Sequence, residues 1–362
     1  MKGRSWLEID LSALTENYLK IKNRLFSGQR ILAVVKADAY GLGSVKIAKV
    51  LQNLGCRDFG VACIEEGVKL RRAKIEGNIQ ILGYTPVNRT FDLLKYDLCQ
   101  SVFSQEYADE LIKEGKKIKV CVKIDTGMNR LGVSVKDVDG CLKLIKTARE
   151  NFDLQGVYTH LCVADEIDKD FFTLTQINAF KRLIDRLFDE NIDIHYANTS
   201  GLIGFNRDFA NLVRVGIGLY GVTPCRGEIF KPIIKWKAVV SAVKQINGGE
   251  YVGYGFSFMA KEDMKIATVC VGYADGYDRR LSNLGKIEIN GKLFPVVGKV
   301  SMDRITVDVS GSDVKMGDVA TVIGNRYTTS DMARDIGTIE YEILCKISPR
   351  VKRIFKKGLT DG

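Results

Sequence analysis

Along the first two thirds of the chain, short apolar runs alternate with longer amphipathic stretches. The runs fall at 31–35, 59–63, 79–83, 98–103, 118–124, 155–158, 192–196 and 211–215. Each is too short for a helix and continuously apolar, as expected of a strand covered on both faces in a parallel sheet. Between them, 45–54, 65–74, 89–94, 105–114, 137–150 and 174–191 carry apolar residues three and four apart, the spacing of a helix with one buried face. Eight strands interleaved with helices over about 200 residues predict a TIM-type (β/α)8 barrel. From about 231 the texture changes: 238–246, 266–271 and 287–289 are β-rich and bounded by turn residues. Asn290-Gly291 between two such runs is a type I′ hairpin dipeptide. Helical patterns return near 329–336 and 341–347. The expected organisation is a barrel over 1–230 followed by a mostly β C-terminal domain over 231–362.

Composition narrows the class. Of 362 residues, 46% are hydrophobic and 27% charged, with only 5 prolines, which excludes disordered, collagen-like and low-complexity chains. No apolar run approaches the ~18 residues of a membrane span, and the N-terminus lacks the apolar stretch of a signal peptide. A cytoplasmic protein without membrane contact is expected. The nine cysteines, at 56, 63, 99, 121, 141, 162, 225, 270 and 345, form no C-x-x-C pair and read as reduced core residues. His160 and His195 are the only two histidines, too few for a His-built metal site, and no metal is expected. The net charge of +10 comes from basic residues interleaved with acids along helical segments, the pattern of a solvated surface rather than a nucleic-acid stripe. It would still attract small anions.

Catalytic groups of a TIM-type barrel sit at the C-terminal ends of its strands. There the sequence is conspicuously polar. Ala33-Val-Val-Lys36-Ala-Asp-Ala-Tyr40-Gly41-Leu-Gly43 ends the first apolar run on a lysine. Burial at that point would disfavour the ammonium and make a nucleophilic amine able to hold an aldehyde, whereas a lysine turned to solvent would merely cap the strand. Lys123-Ile-Asp125-Thr-Gly-Met-Asn-Arg130 follows the fifth run, His160 the sixth, and Asn198-Thr199-Ser200 the seventh; Arg214 and Gly216 lie at the eighth. The small residues and amides after runs seven and eight suit the phosphate site common in this fold.

The segment around Lys36, Lys123-Ile-Asp-Thr-Gly-Met-Asn-Arg130-Leu-Gly, Val271-Gly-Tyr273-Ala-Asp-Gly276-Tyr and Val297-Gly-Lys-Val-Ser-Met302-Asp303 together closely resemble the alanine racemase family, in order and over nearly the whole chain. The resemblance implies a barrel that binds pyridoxal 5′-phosphate, a C-terminal β domain, and a homodimer whose active sites are shared between subunits. It implies an isomerase that interconverts L- and D-alanine, usually to supply D-alanine for peptidoglycan. By position, Lys36 resembles the lysine that carries the cofactor, and Tyr40, Thr199, Gly216 and Ile217 its phosphate contacts, with Asn198 and Ser200 adjacent. Arg214 matches the arginine facing the pyridine nitrogen and His160 the histidine beside the ring. Arg130 and the Met302 amide, with Asp303 next to it, match groups near the substrate carboxylate. Lys123 stands where many members carry a carbamylated lysine.

Racemisation removes the Cα proton from one face and returns a proton to the other, so two bases must flank the reacting carbon. Lys36 and Tyr273 fit those roles. A free phenol has a pKa near ~10, so it would need cationic help, such as that of Arg214 through His160. One departure stands out: in Ile347-Ser348-Pro349-Arg350, proline replaces a tyrosine common in the family. A reshaped pocket would make serine or a broader range of amino acids an alternative to alanine. A non-catalytic pyridoxal-phosphate barrel is the remaining alternative, against which Tyr273 argues.

Overall fold

A computed structural model describes residues 3–187, 191–222, 227 and 230–357. All eight apolar runs form strands: Arg30–Val34, Asp58–Val61, Asn78–Ile81, Cys99–Val102, Lys119–Asp125, Asp153–Tyr158, Asp193–His195 and Leu212–Val215. The first seven pair in parallel in that order, and the eighth pairs in parallel with the first, Val215 opposite Ala33. Backbone bonds from Asn211 N to Ile194 O (3.1 Å) and Arg214 N to Ala197 O (3.0 Å) join the seventh to the eighth and bring the barrel close to closure. Side chains such as Phe59, Ile79, Val120 and Val213 are fully buried along these strands, which is why the runs read as continuously apolar.

By internal packing the chain forms two units, and the division differs from the expected break at 230/231. One is the barrel, from Leu14 to Lys231 without Tyr40–Gly43; the other takes Tyr40–Gly43, everything from Pro232 onward, and the N-terminal segment through Ala13. The strand Ser5–Asp10 explains this. It lies antiparallel to Ile234–Ile246 and parallel to Lys352–Lys356, so Leu7 and Ile9 are buried in the β unit. Its apolar residues mark a strand but not which sheet receives it. The larger sheet of the β unit runs Lys292–Pro295, Lys286–Ile289, Val319–Ile323, Ile234–Ile246, Ser5–Asp10, Lys352–Lys356. From Val240 onward Ile234–Ile246 pairs with Met264–Val269, with an irregularity between Val240 and Ala242. The hairpin at Asn290-Gly291 has both residues left-handed (φ 49° and 75°), as a type I′ turn requires.

The cysteines of the described residues form no disulfide, but Cys162 and Cys345 are exposed rather than part of the core. Cys162 follows the sixth barrel strand, and Cys345 lies on the helix Glu340–Lys346. Cys225 lies outside the described residues. Among the described residues, no group of three or more His, Cys, Asp or Glu side chains could hold a metal ion, and no helix is long and apolar enough to cross a membrane.

Candidate active site

The first barrel strand ends at Lys36 in a turn that its sequence does not announce. Ala37, Asp38, Ala39 and Tyr40 are all left-handed, with φ between 51° and 56°. Non-glycine residues in this region cost roughly 1–2 kcal/mol each. Two carboxylates hold the turn: Glu66 accepts from Ala37 N (2.7 Å), and Asp38 accepts from Ser44 N (3.0 Å), Ser44 Oγ (2.7 Å) and Lys69 Nζ (2.6 Å). Lys36 is half-buried at its start.

After the fifth strand, Asp125 Oδ1 accepts from Gly127 N (2.9 Å) and Asn129 N (3.1 Å), an Asx-type turn that folds the loop back. The Leu131 carbonyl thereby reaches Lys123 Nζ at 2.7 Å. Burial, then the nearby charge of Arg130, push the buried Lys123 down from 10.5 to about 8, with Arg214 adding to the effect and Asp125 opposing it. Arg130 itself is exposed.

Arg214 is the centre of the barrel group. It is 4% exposed. Its Nη1 reaches His195 Nδ1 (2.8 Å) and the His195 carbonyl (3.3 Å), and its Nη2 reaches the carbonyls of Thr159 (2.7 Å) and Tyr196 (3.0 Å) and His160 Nδ1 (3.1 Å). None of these contacts uses Nε. Burial lowers its pKa to about 10, which leaves it charged at neutral pH. Both imidazoles must present a bare Nδ1 to the guanidinium, which fixes them as neutral Nε2–H tautomers. Burial, followed by Arg214, holds both histidines well below the usual imidazole range, and Arg130, Lys123 and Lys36 also act on His160. All four cations therefore oppose protonation of His160, with Arg214 in direct contact.

Beneath Arg214, the Tyr158 ring stacks on His195 at 4.8 Å and donates to Ser101 Oγ at 2.8 Å. Sequence reasoning passed over Tyr158 and His195. Their inward positions on adjacent strands were the available signal.

The ends of the seventh and eighth strands form a cradle. Asn198 caps the short helix Thr199–Phe205 by accepting from Gly201 N at 2.8 Å. Thr199 and Ser200 are buried hydroxyls, and Gly216 N points to Thr199 Oγ1 at 3.4 Å. A Cβ on Gly218 would lie 2.7 Å from Thr199 Cγ2, so the loop through Ile217 is seated against the helix's first turn. Hydroxyl and amide donors packed this closely suit a phosphate monoester. Because the eighth strand pairs with the first, the cradle adjoins the strand that ends at Lys36.

Four expected site residues lie instead in the β unit: Tyr40, Tyr273, Met302 and Asp303. Tyr40 is buried there, with its ring 5.7 Å from that of Tyr341. Tyr273 and Met302 are fastened together by Tyr273 N to Ser301 O and Ala274 N to Met302 O, both 3.0 Å. A Cβ on Gly272 would fall 2.4 Å from the Met302 carbonyl, so only glycine admits this approach. Asp275, buried, accepts from Gly272 N (3.0 Å) and Arg4 (2.8 Å) and pairs with Arg350 (3.0 Å), and both arginines also pair with Asp303. The same unit presents a tyrosine that sequence reasoning missed. Tyr254 is 71% exposed, against 44% for Tyr273, and stands between Gly253 (φ 75°) and Gly255 (φ 67°), followed by left-handed Phe256 (φ 48°). Its sequence signal was Gly-Tyr-Gly, indistinguishable from an ordinary turn.

A strand-end lysine, a hydroxyl-lined cradle and a buried arginine at one barrel mouth define a pyridoxal-phosphate enzyme built on a TIM-type barrel. The comparisons give the particular family: the description "Alanine racemase, N-terminal domain" matches residues 9–224, and "Alanine racemase, C-terminal domain" matches 233–355. The chain belongs to the alanine racemase family. It is 40% identical to an alanine racemase of Halothermothrix orenii, over 98% of this chain and 97% of that one. It is 38% identical to one of Clostridium novyi, over 98% and 95%. Among solved structures, alanine racemase of Clostridium difficile 630 superimposes with a TM-score of 0.90 at 36% identity, covering 98% of this chain and 96% of that one. An alanine racemase of Bartonella henselae described with covalently bound pyridoxal phosphate gives 0.89 at 34%, over 98% and 100%.

Proposed function

We propose that this chain racemises alanine with two bases, Lys36 on one face of the substrate and a phenol of the β unit on the other, in a homodimer whose sites combine one subunit's barrel with its partner's β unit. The buried Arg214, locked by five contacts with Nε outside them, is the observation that carries the reading. Lys36 would hold the aldehyde of pyridoxal 5′-phosphate, and Thr199, Ser200, Gly216, Ile217 and Tyr40 its phosphate. Arg214 Nε would meet the ring nitrogen. When bound, the cofactor supplies an electron-withdrawing ring that acidifies the Cα–H. A guanidinium is a poor proton donor, so Arg214 would leave that nitrogen unprotonated and moderate the withdrawal. Arg130 and the Met302 amide would bind the carboxylate, with Asp303 and Arg350 fixing the position of Met302. His160, polarised by Arg214 at Nδ1, offers Nε2–H to stabilise a phenolate.

The resemblance gives Tyr273 as the second base. Tyr254 is the candidate the backbone favours: strained left-handed residues persist where surrounding structure holds them, and they concentrate at functional sites. Tyr273, pinned beside Met302, then lines the substrate. A cytoplasmic setting accords with the free thiols.

Tyr254→Phe and Tyr273→Phe, each assayed with cofactor retained, test the assignment. Loss of racemisation by several orders of magnitude in Tyr254→Phe, with a smaller loss in Tyr273→Phe, is expected. The reverse order returns the role to Tyr273, and near-normal turnover in both removes the phenol base altogether.

A further inference from the structure

Away from these groups, one face of the larger sheet of the β unit carries a cleft of about 800 Å3. Strand register assembles its floor: Glu288 stands opposite Thr321, Thr321 opposite Lys237, Lys237 opposite Trp6, and Lys235 opposite Glu8. Four cations line it, Lys235, Lys237, Arg326 and Lys356, against two carboxylates, Glu8 and Glu288, an excess of two positive charges.

The carboxylates are already engaged. Glu8, 5% exposed, lies 2.7 Å from Lys356 Nζ and 3.0 Å from Trp6 Nε1, and Glu288 lies 3.7 Å from Arg326. Lys237 gives one of its three ammonium donors to Thr321 Oγ1 at 2.8 Å. Burial, followed by Lys235 and then Lys356, holds its pKa below the ordinary lysine value despite Glu8 and Glu288. Lysines gathered and desolvated on a sheet face are costly unless an anion joins them. The exposed side-chain amide of Asn325 adds a neutral donor, whereas that of Asn290 already donates to Asp318 Oδ2 at 3.0 Å. The cleft is the size of a small-ligand site rather than a groove for a polymer.

We propose that this cleft binds a small phosphate-bearing anion. A doubly charged phosphoryl group presents only acceptors, matching the two-charge excess and the donor-rich lining. The site belongs wholly to the β unit and does not depend on the assignment of the catalytic bases.

Calorimetric titration of the cofactor-loaded enzyme at low ionic strength tests this, since the catalytic phosphate site is then filled. Inorganic pyrophosphate and glycerol phosphate are the probes, with a short RNA as the polymeric rival. Saturable binding of at least one phosphate probe is expected, weakened about ten-fold in Lys237→Met, which keeps the apolar stem, and in the rim variant Arg326→Gln. Lys244→Gln, on the same strand outside the cleft, should bind as wild type, and racemase turnover should be unchanged in all three. No saturable binding at millimolar probe, an equal loss in Lys244→Gln, or displacement of the probe by RNA at lower concentration would each overturn the proposal.

Discussion

Lys123 offers the sharpest test of the barrel mouth. With its pKa pushed down to about 8 from 10.5, half of its amines are neutral at pH 8, against ~0.3% of ordinary lysines, and at pH 7 its neutral fraction is about 300-fold higher than theirs. Only the neutral amine adds to carbon dioxide: the ammonium first gives up one proton, the nitrogen then bonds the carbon and a second N–H proton leaves to solvent, so the side chain changes from +1 through 0 to −1. Arg130 and Arg214, which disfavour the ammonium, would attract the carbamate. In 13C NMR with labelled bicarbonate, one carbamate signal per chain should titrate near pH 8 and vanish in Lys123→Met. A second readout follows from linkage in CO2-free buffer. The unfolded chain keeps this proton up to ~10.5 and the folded chain releases it near 8, so the unfolded state binds more protons in that window. Stability should gain about 3 kcal/mol from this group as pH rises through it, a gain absent from Lys123→Met. A carbamate titrating like a surface lysine, or one that survives Lys123→Met, would refute the reasoning.

Three further outcomes are expected. Asp275→Asn should cost about 2 kcal/mol in a urea melt by weakening the bonds to Arg4, Arg350 and Gly272 N, discounted for the half-exposed arginines; a shift below ~0.5 kcal/mol would show that the carboxylate does not hold the Tyr273 turn. Pro349 is exposed at the second position of a turn closed by Val351 N to Ser348 O at 3.0 Å, a position that tolerates most residues. Pro349→Tyr should therefore fold and lower the serine-to-alanine ratio of kcat/KM by about ten- to thirty-fold, or ~1–2 kcal/mol; an unchanged ratio in an active variant removes the case for serine. His160 and His195 are held neutral by burial and Arg214, so the unfolded state alone takes up their protons below ~6.5, and stability should fall there by up to ~1.4 kcal/mol per pH unit for each histidine. A denaturation midpoint independent of pH between 6.5 and 5 would contradict that.

The barrel was legible because each strand is an uninterrupted apolar run with a polar end, and the polar ends are where this fold places its chemistry. What was not legible depends on partners distant in sequence. Arg214 reads as one arginine at a strand end, and only the meeting of three strands supplies His160, His195 and the carbonyls that hold it. The turn after Lys36 is harder still. Ala-Asp-Ala contains no glycine to announce left-handed backbone, and the carboxylate that fixes Ala37 comes from Glu66, 29 positions later. Tyr254 had its glycines in plain view, yet a turn motif does not reveal that Phe256 is also left-handed or that the phenol stands clear of the unit. Lys36 opens one segment of costly left-handed backbone, and Tyr254 stands between two left-handed glycines in a turn whose costly residue is Phe256. A lysine or tyrosine could be exposed at no such cost on regular structure. That both are carried on strained turns therefore argues that what the fold maintains is the direction of each side chain, which a reaction needing one base on each face of a flat carbon would require.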